Sequence, residues 1–203
     1  MIEEISKVVL ITVFVAFSLI RILYYAKTRR AGYKTVIEER RRYSMWLSIL
    51  ICYEVFTLFL YLFAPQTLAW AALALPAWAR VMGWVLGTGA LLWFVWVHRS
   101  LGNNLSARLA IKDRQVLVTD GPYSRIRHPM YSAFFLLHIA VFFLTANWFI
   151  GLSWMAGLML IILLRVRREE EMLLDRFGDQ YGAYMRRTRR FLPPVKQVKP
   201  GAE

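Results

Sequence analysis

The amino-acid sequence predicts an all-α, polytopic integral membrane protein with about five transmembrane helices and an amphipathic helix at its C-terminal end. Three observations carry this reading. Hydrophobic residues make up 58% of the chain, and its mean hydropathy of +0.43 is far above that of a soluble domain of ordinary composition. The apolar residues fall in long blocks instead of being spread at helical or strand period. The cations gather between those blocks.

The first block covers residues 8–25 and carries Arg21 near its end, where a long side chain can snorkel toward the headgroups. The second covers 45–64 and contains Glu54. The third covers 77–97, and its Gly83-xxx-Gly87 spacing reads as a close helix-packing face. The fourth (130–146) and fifth (148–166) are separated only by a tight turn at Asn147, which predicts an antiparallel hairpin. Each block is near the roughly 20 residues that cross a bilayer. Residues 167–187 read as a helix with Leu173, Phe177, Tyr181 and Tyr184 on one stripe, and Gly178 is placed to kink or interrupt it. Glu170 shares that stripe, a wasteful position for a lipid-facing carboxylate and a sensible one beside a polar pocket.

Charge sets the orientation. The first loop holds Lys27, Arg29, Arg30, Lys34, Arg40, Arg41 and Arg42 against Glu38 and Glu39, and the third holds Arg99, Arg108, Lys112, Arg114, Arg125 and Arg127. The segment 65–76 has no charge. The positive-inside rule then puts loops one and three and the C-terminus in the cytoplasm, with the N-terminus outside. The net charge of +13 is explained by this pattern and by anionic lipids, so nucleic acid is not an expected partner. The single cysteine, Cys52, excludes an intrachain disulfide, and His98, His128 and His138 have no metal-ligand spacing, so no metal is expected. Glu3 and Glu4 replace the cationic start of a signal peptide.

The densest chemistry lies at residues 121–131: a Gly121-Pro122 turn, two tyrosines, Arg125, Arg127, His128 and Pro129. Pro129 suits the first position of a helix, so the fourth span begins there with its positive dipole end beside two arginines. Such an end seats an anion, either a ligand group or a lipid phosphate.

Gly121-Pro122-Tyr123 followed by Arg127-His128-Pro129-x-Tyr131 resembles the signature of the isoprenylcysteine carboxyl methyltransferase family and the related phospholipid N-methyltransferases. Glu169-Glu170, Leu173, Phe177-Gly178, Tyr181, Tyr184 and Pro193 follow the same family's C-terminal pattern. Leu101-Gly102-x-Asn104-x-Ser106 and Leu117-Val118-Thr119-x-Gly121 also fit. Ala133 departs from a common glycine, and a small residue there preserves close packing. The resemblance divides the chain into three N-terminal spans (1–97), a catalytic region (98–194) and a tail (195–203).

It implies S-adenosylmethionine as cofactor, in a cytoplasm-facing pocket lined by Leu117, Val118, Gly121, Tyr123, His128, Pro129, Tyr131, Glu170 and Tyr184. It implies a carboxyl O-methyltransferase acting on a lipophilic or prenylated acceptor that arrives from the bilayer. Glu170 would pair with the cofactor's amine, and Arg127, or else Arg187, would place the acceptor's carboxylate. A carboxylate acceptor is already ionised and needs no base, whereas a phospholipid amine would have to lose a proton, with Glu170 as a possible base. An NADPH-dependent sterol-type reductase is a more distant reading. So is a non-enzymatic lipid-binding protein with Glu54 and Arg21 as its pathway residues.

Overall fold

The computed structural model describes residues 1–32, 34–38, 41–104 and 110–191; Glu39, Arg40, Ser106, Arg108 and Pro193, named above from the sequence, lie outside them. The chain order is α1 (Ile2–Arg30), β1 (Thr35–Glu38), α2 (Arg41–Phe63), α3 (Ala77–Leu101), β2 (Ala110–Lys112), α4 (Pro129–Thr145), α5 (Trp148–Phe177) and α6 (Asp179–Arg187). Short 3-10 turns cover Pro65–Ala71, Gly102–Asn104 and Gly121–Ser124. Four helices are long and apolar enough to cross a membrane, and α4 is a shorter apolar helix of 17 residues. The outward faces of α1 and α2 carry exposed Val8, Val15, Leu19, Val55 and Phe56, as lipid-facing helices require.

Small residues set the packing at the centre. A Cβ on Gly83 would lie 3.0 Å from the Phe143 Cβ, and one on Gly87 would meet Val13 and Ala140. Gly83-xxx-Gly87 is therefore the packing face of α3 against α4, with buried Ala90 and Ala140 continuing the close approach. Around it, Phe17 of α1 stacks on Phe94 of α3 with ring centroids 4.3 Å apart, and Phe134 of α4 meets Phe94 at 5.5 Å.

The α4–α5 hairpin turns at Ala146, whose φ of +46° is left-handed. Asn147 then caps α5: its side-chain oxygen accepts from the Ile150 N–H at 3.1 Å, and its amide donates to the Leu68 carbonyl at 2.9 Å. Leu73 N–H donates to the Ala146 carbonyl at 2.7 Å, so the uncharged segment 65–76 and the hairpin turn lie at one end.

The basic loops meet at the other end. Thr35, Ile37 and Glu38 pair antiparallel with Lys112, Ile111 and Ala110, a ribbon that the sequence gives no sign of. Asp113 closes it, donating its N–H to the Lys34 carbonyl and accepting the Lys34 N–H on its side chain. The C-terminal segment straps onto the same end: Arg127 and His128 N–H donate to the carbonyls of Arg189 and Arg190 at 2.8 and 2.9 Å.

One expectation is corrected. The helix expected over 167–187 is two elements, and its first half is the continuation of the fifth span. α5 runs 30 residues, about 45 Å, which is far more than a bilayer core needs. Residues 166–177 hold good helix formers and no proline, so nothing stops α5 before Gly178. Gly178 has φ +51°, a conformation open to glycine, and it breaks the helix before α6.

Candidate functional site

A cavity of about 460 Å³ runs through the bundle toward the basic end. Its lining on α5 extends from Trp154 to Phe177, 23 residues apart, or about 34 Å of helix. The two ends differ in chemistry. Toward the basic end the walls are Leu117, Val118, Tyr123, His128, Glu169, Tyr181 and Tyr184. Toward the bundle centre they are Phe14 and Phe17 of α1, Leu47, Leu50 and Ile51 of α2, and Trp154, Leu158 and Ile161 of α5. Arg21, Tyr131 and Arg165 lie where the two parts join.

Glu170 organises the polar end without lining the cavity. Its carboxylate is buried and accepts from Arg127 Nε at 3.0 Å and Arg190 Nη2 at 2.6 Å, with His128 Nε2 at 3.2 Å. Arg127 reaches the C-terminal strap as well. Its Nη2 is 3.0 Å from Glu170, and Nη1 donates to the carbonyls of Met185 (3.1 Å) and Thr188. This network binds three separate stretches of chain: the turn before α4, the middle of the α5 extension, and the strap at 185–190.

Glu169 is placed differently. It faces the cavity, is about a third exposed at 32%, and accepts the Tyr131 hydroxyl at 3.4 Å, with His128 Nδ1 at 3.8 Å. Tyr181, almost fully buried, lines the cavity, and its buried hydroxyl has no hydrogen-bond partner among the described residues.

Tyr184 donates its hydroxyl to the Tyr123 carbonyl at 2.6 Å. Burial pushes its phenol up to about 12, and the guanidinium groups of Arg127 and Arg187 oppose a further rise. Burial raises the Tyr123 phenol too, and Glu169 adds to that rise. Both phenols therefore remain donors throughout the neutral range. A raised phenol contributes stability that is complete below its ordinary value of 10.0 and is lost as pH climbs toward about 12. Tyr184→Phe should flatten the alkaline fall in melting temperature across that window, which a pH series of thermal melts reads directly.

Among the residues expected from the sequence, Leu117, Val118, Tyr123, His128, Pro129, Tyr131 and Tyr184 all line the cavity. Gly121 supports the turn from behind. Its φ is +57°, and a Cβ there would lie 2.7 Å from Ser100 Oγ. Arg127 lines the cavity too, with hydrogen bonds to Glu170 and to the Met185 and Thr188 carbonyls. Arg187 is exposed and sits over the Tyr184 ring at 5.9 Å, outside the cavity lining. Glu170, expected to face the cofactor amine, holds arginines instead, and the facing carboxylate is Glu169.

Sequence reasoning missed Arg165 as a site residue, although its four-residue spacing from Glu169 places both on one helix face. It also missed the pair of Glu54 and His138, 3.1 Å apart on the cavity wall.

Fold and site together define a polytopic helical membrane protein whose cavity joins a polar, titratable end to an apolar interior. Residues 81–175 match the model of the isoprenylcysteine carboxyl methyltransferase (ICMT) family, so the resemblance read from the sequence holds over α3, α4 and most of α5. The chain is 33% identical over 87 residues to protein-S-isoprenylcysteine O-methyltransferase of Homo sapiens, covering 43% of this chain and 31% of that protein. It is 33% identical over 80 residues to the Schizosaccharomyces pombe protein of the same name, covering 39% and 34%. The chain thus aligns with about a third of the length of these curated relatives. A solved structure of the eukaryotic intramembrane Ras methyltransferase ICMT shares the fold, with a TM-score of 0.52 and 22% identity over 81% of this chain and 56% of that one.

Proposed function

We propose that this protein is an S-adenosylmethionine-dependent methyltransferase that esterifies the carboxylate of a lipophilic acceptor, with S-prenylated cysteine as the model acceptor. One observation carries the reading: a single cavity has a polar wall of Tyr, His and Glu at the basic end and an apolar wall within the spans. A methyl donor with charged groups suits the first part, and an isoprenoid tail suits the second.

The polar wall fits the donor. Glu169 suits its amine, and the first turn of α4 at Pro129 suits its carboxylate. Tyr123 and Tyr131 supply aromatic faces that favour a sulfonium by cation–π attraction. When bound, S-adenosylmethionine supplies an electrophilic methyl group, and this chain's residues orient the acceptor and exclude water. An ionised carboxylate attacks without a general base, so no titrating residue has to take a proton.

The acceptor reaches the cavity sideways. α2 packs on α5 and on the 65–71 turn, while α1 packs on α3 and α4, and both α1 and α2 contribute cavity wall. A crevice between α1 and α2 is the natural lipid-side door. The N-terminal spans therefore join the catalytic region 98–194 in building the site. The basic end faces the cytoplasm by the positive-inside rule and attracts anionic lipids, with the N-terminus outside.

Calorimetric titration of the purified protein in detergent with S-adenosylhomocysteine, beside NADPH, tests the donor. Binding of the first and none of the second is expected. The reverse would move the protein to the reductase class.

A further inference from the structure

Arg21 is an unusual residue for its place. It sits within α1, in an otherwise apolar stretch, where a cation is costly unless something in the protein or a ligand compensates it. Snorkelling does not describe it, because its guanidinium lies 5.8 Å over the Phe134 ring of α4 and lines the cavity. Among the described residues no carboxylate forms an ion pair with Arg21. The two carboxylates on the cavity wall are engaged elsewhere: Glu54 with His138 at 3.1 Å, and Glu169 with Tyr131 at 3.4 Å. A second cation, the buried Arg165 of α5, is within electrostatic reach and lines the same cavity, as does Tyr131. A cation turned into a cavity with no carboxylate of its own is stable when a ligand anion faces it, and Arg165 adds positive potential on the opposite wall.

The location selects the anion. Arg21 and Arg165 stand where the polar end of the cavity gives way to walls such as Phe14, Leu50 and Trp154. A carboxylate carried on a long apolar chain would put its charge there while its tail filled the interior.

We propose that Arg21, with Arg165 opposite, forms the subsite that holds the acceptor's carboxylate beside the methyl donor. This rests on the methyltransferase reading and adds a helix, α1, that lies outside the segment 81–175 shared with the family model. Transfer forms an O–C bond on the carboxylate and breaks the donor's C–S bond, leaving a neutral ester and a neutral thioether. The subsite therefore holds the acid and releases the ester.

The test is equilibrium binding of N-acetyl-S-farnesylcysteine, its methyl ester and S-adenosylhomocysteine to the wild-type protein and to Arg21→Gln and Arg21→Lys, with thermal melts of each. Arg21→Gln should bind the acid about tenfold or more weakly, with ester and S-adenosylhomocysteine affinities unchanged and no loss of melting temperature. Arg21→Lys should recover part of the acid affinity. Unchanged acid binding in Arg21→Gln overturns the subsite while leaving the methyltransferase reading intact. Weakened S-adenosylhomocysteine binding with normal acid binding also overturns it, because the donor's carboxylate would then be the anion held. Wild-type protein that binds neither ligand contradicts the methyltransferase reading, and the subsite with it.

Discussion

Glu170→Gln should destabilise the protein by about 3 kcal/mol, the largest effect expected of any single polar substitution here. The glutamate is the common acceptor for Arg127 and Arg190, and its side chain is 6% exposed. Glutamine keeps the shape and removes the charge. Arg127, itself 9% exposed, is then left buried without its carboxylate partner. Breaking one partner of such a pair costs far more than the pair contributes over a nonpolar substitute, because the surviving ion stays desolvated. The consequence should also be local. The strap at 188–190 is held to the turn before α4 through this carboxylate and two backbone hydrogen bonds, so it should become sensitive to protease. Thermal melts and limited proteolysis in detergent read both effects, and a melting temperature equal to wild type would contradict the assignment of Glu170 as the organiser.

Glu169→Gln, one residue earlier, should behave in the opposite way. Its carboxylate faces the cavity, is a third exposed and meets the Tyr131 hydroxyl at 3.4 Å. Its partial exposure lets water solvate the site once the charge is removed, so the melting temperature should hold close to wild type. What should fall is affinity for a ligand amine, by about ten- to a hundredfold for one charged hydrogen bond. Calorimetry with S-adenosylhomocysteine measures this, and full affinity in Glu169→Gln would remove the carboxylate from the donor site. The two adjacent glutamates thus separate stability from binding in one pair of variants.

Much of the fold was legible in the sequence because its signals are local. Pro129 and Asn147 mark helix starts by their own chemistry, and Gly83 and Gly87 mark a packing face by spacing. The β1–β2 ribbon was not legible, since it joins residues 35–38 to 110–112 across two spans and neither segment has a strand pattern of its own. The extent of α5 was misjudged because hydropathy ends at Val166 whereas helix propensity does not end until Gly178.

For the site, seven of the residues that the family motif led us to expect around the cofactor line one cavity. Roles were harder. Whether Glu169 or Glu170 faces a ligand depends on 100° of helix rotation, and whether Arg127 is available depends on carbonyls sixty residues away. Arg21 was legible only as an oddity, because the ring beneath it and the arginine opposite come from α4 and α5.

The most direct test of the central claim is transfer of labelled methyl from S-adenosylmethionine to N-acetyl-S-farnesylcysteine by the purified protein, with phosphatidylethanolamine as the competing acceptor. The account predicts label in the prenylcysteine, released as methanol by mild base as only an ester allows. Base-stable label in the phospholipid, or no transfer to either acceptor by protein that binds S-adenosylhomocysteine, would contradict it.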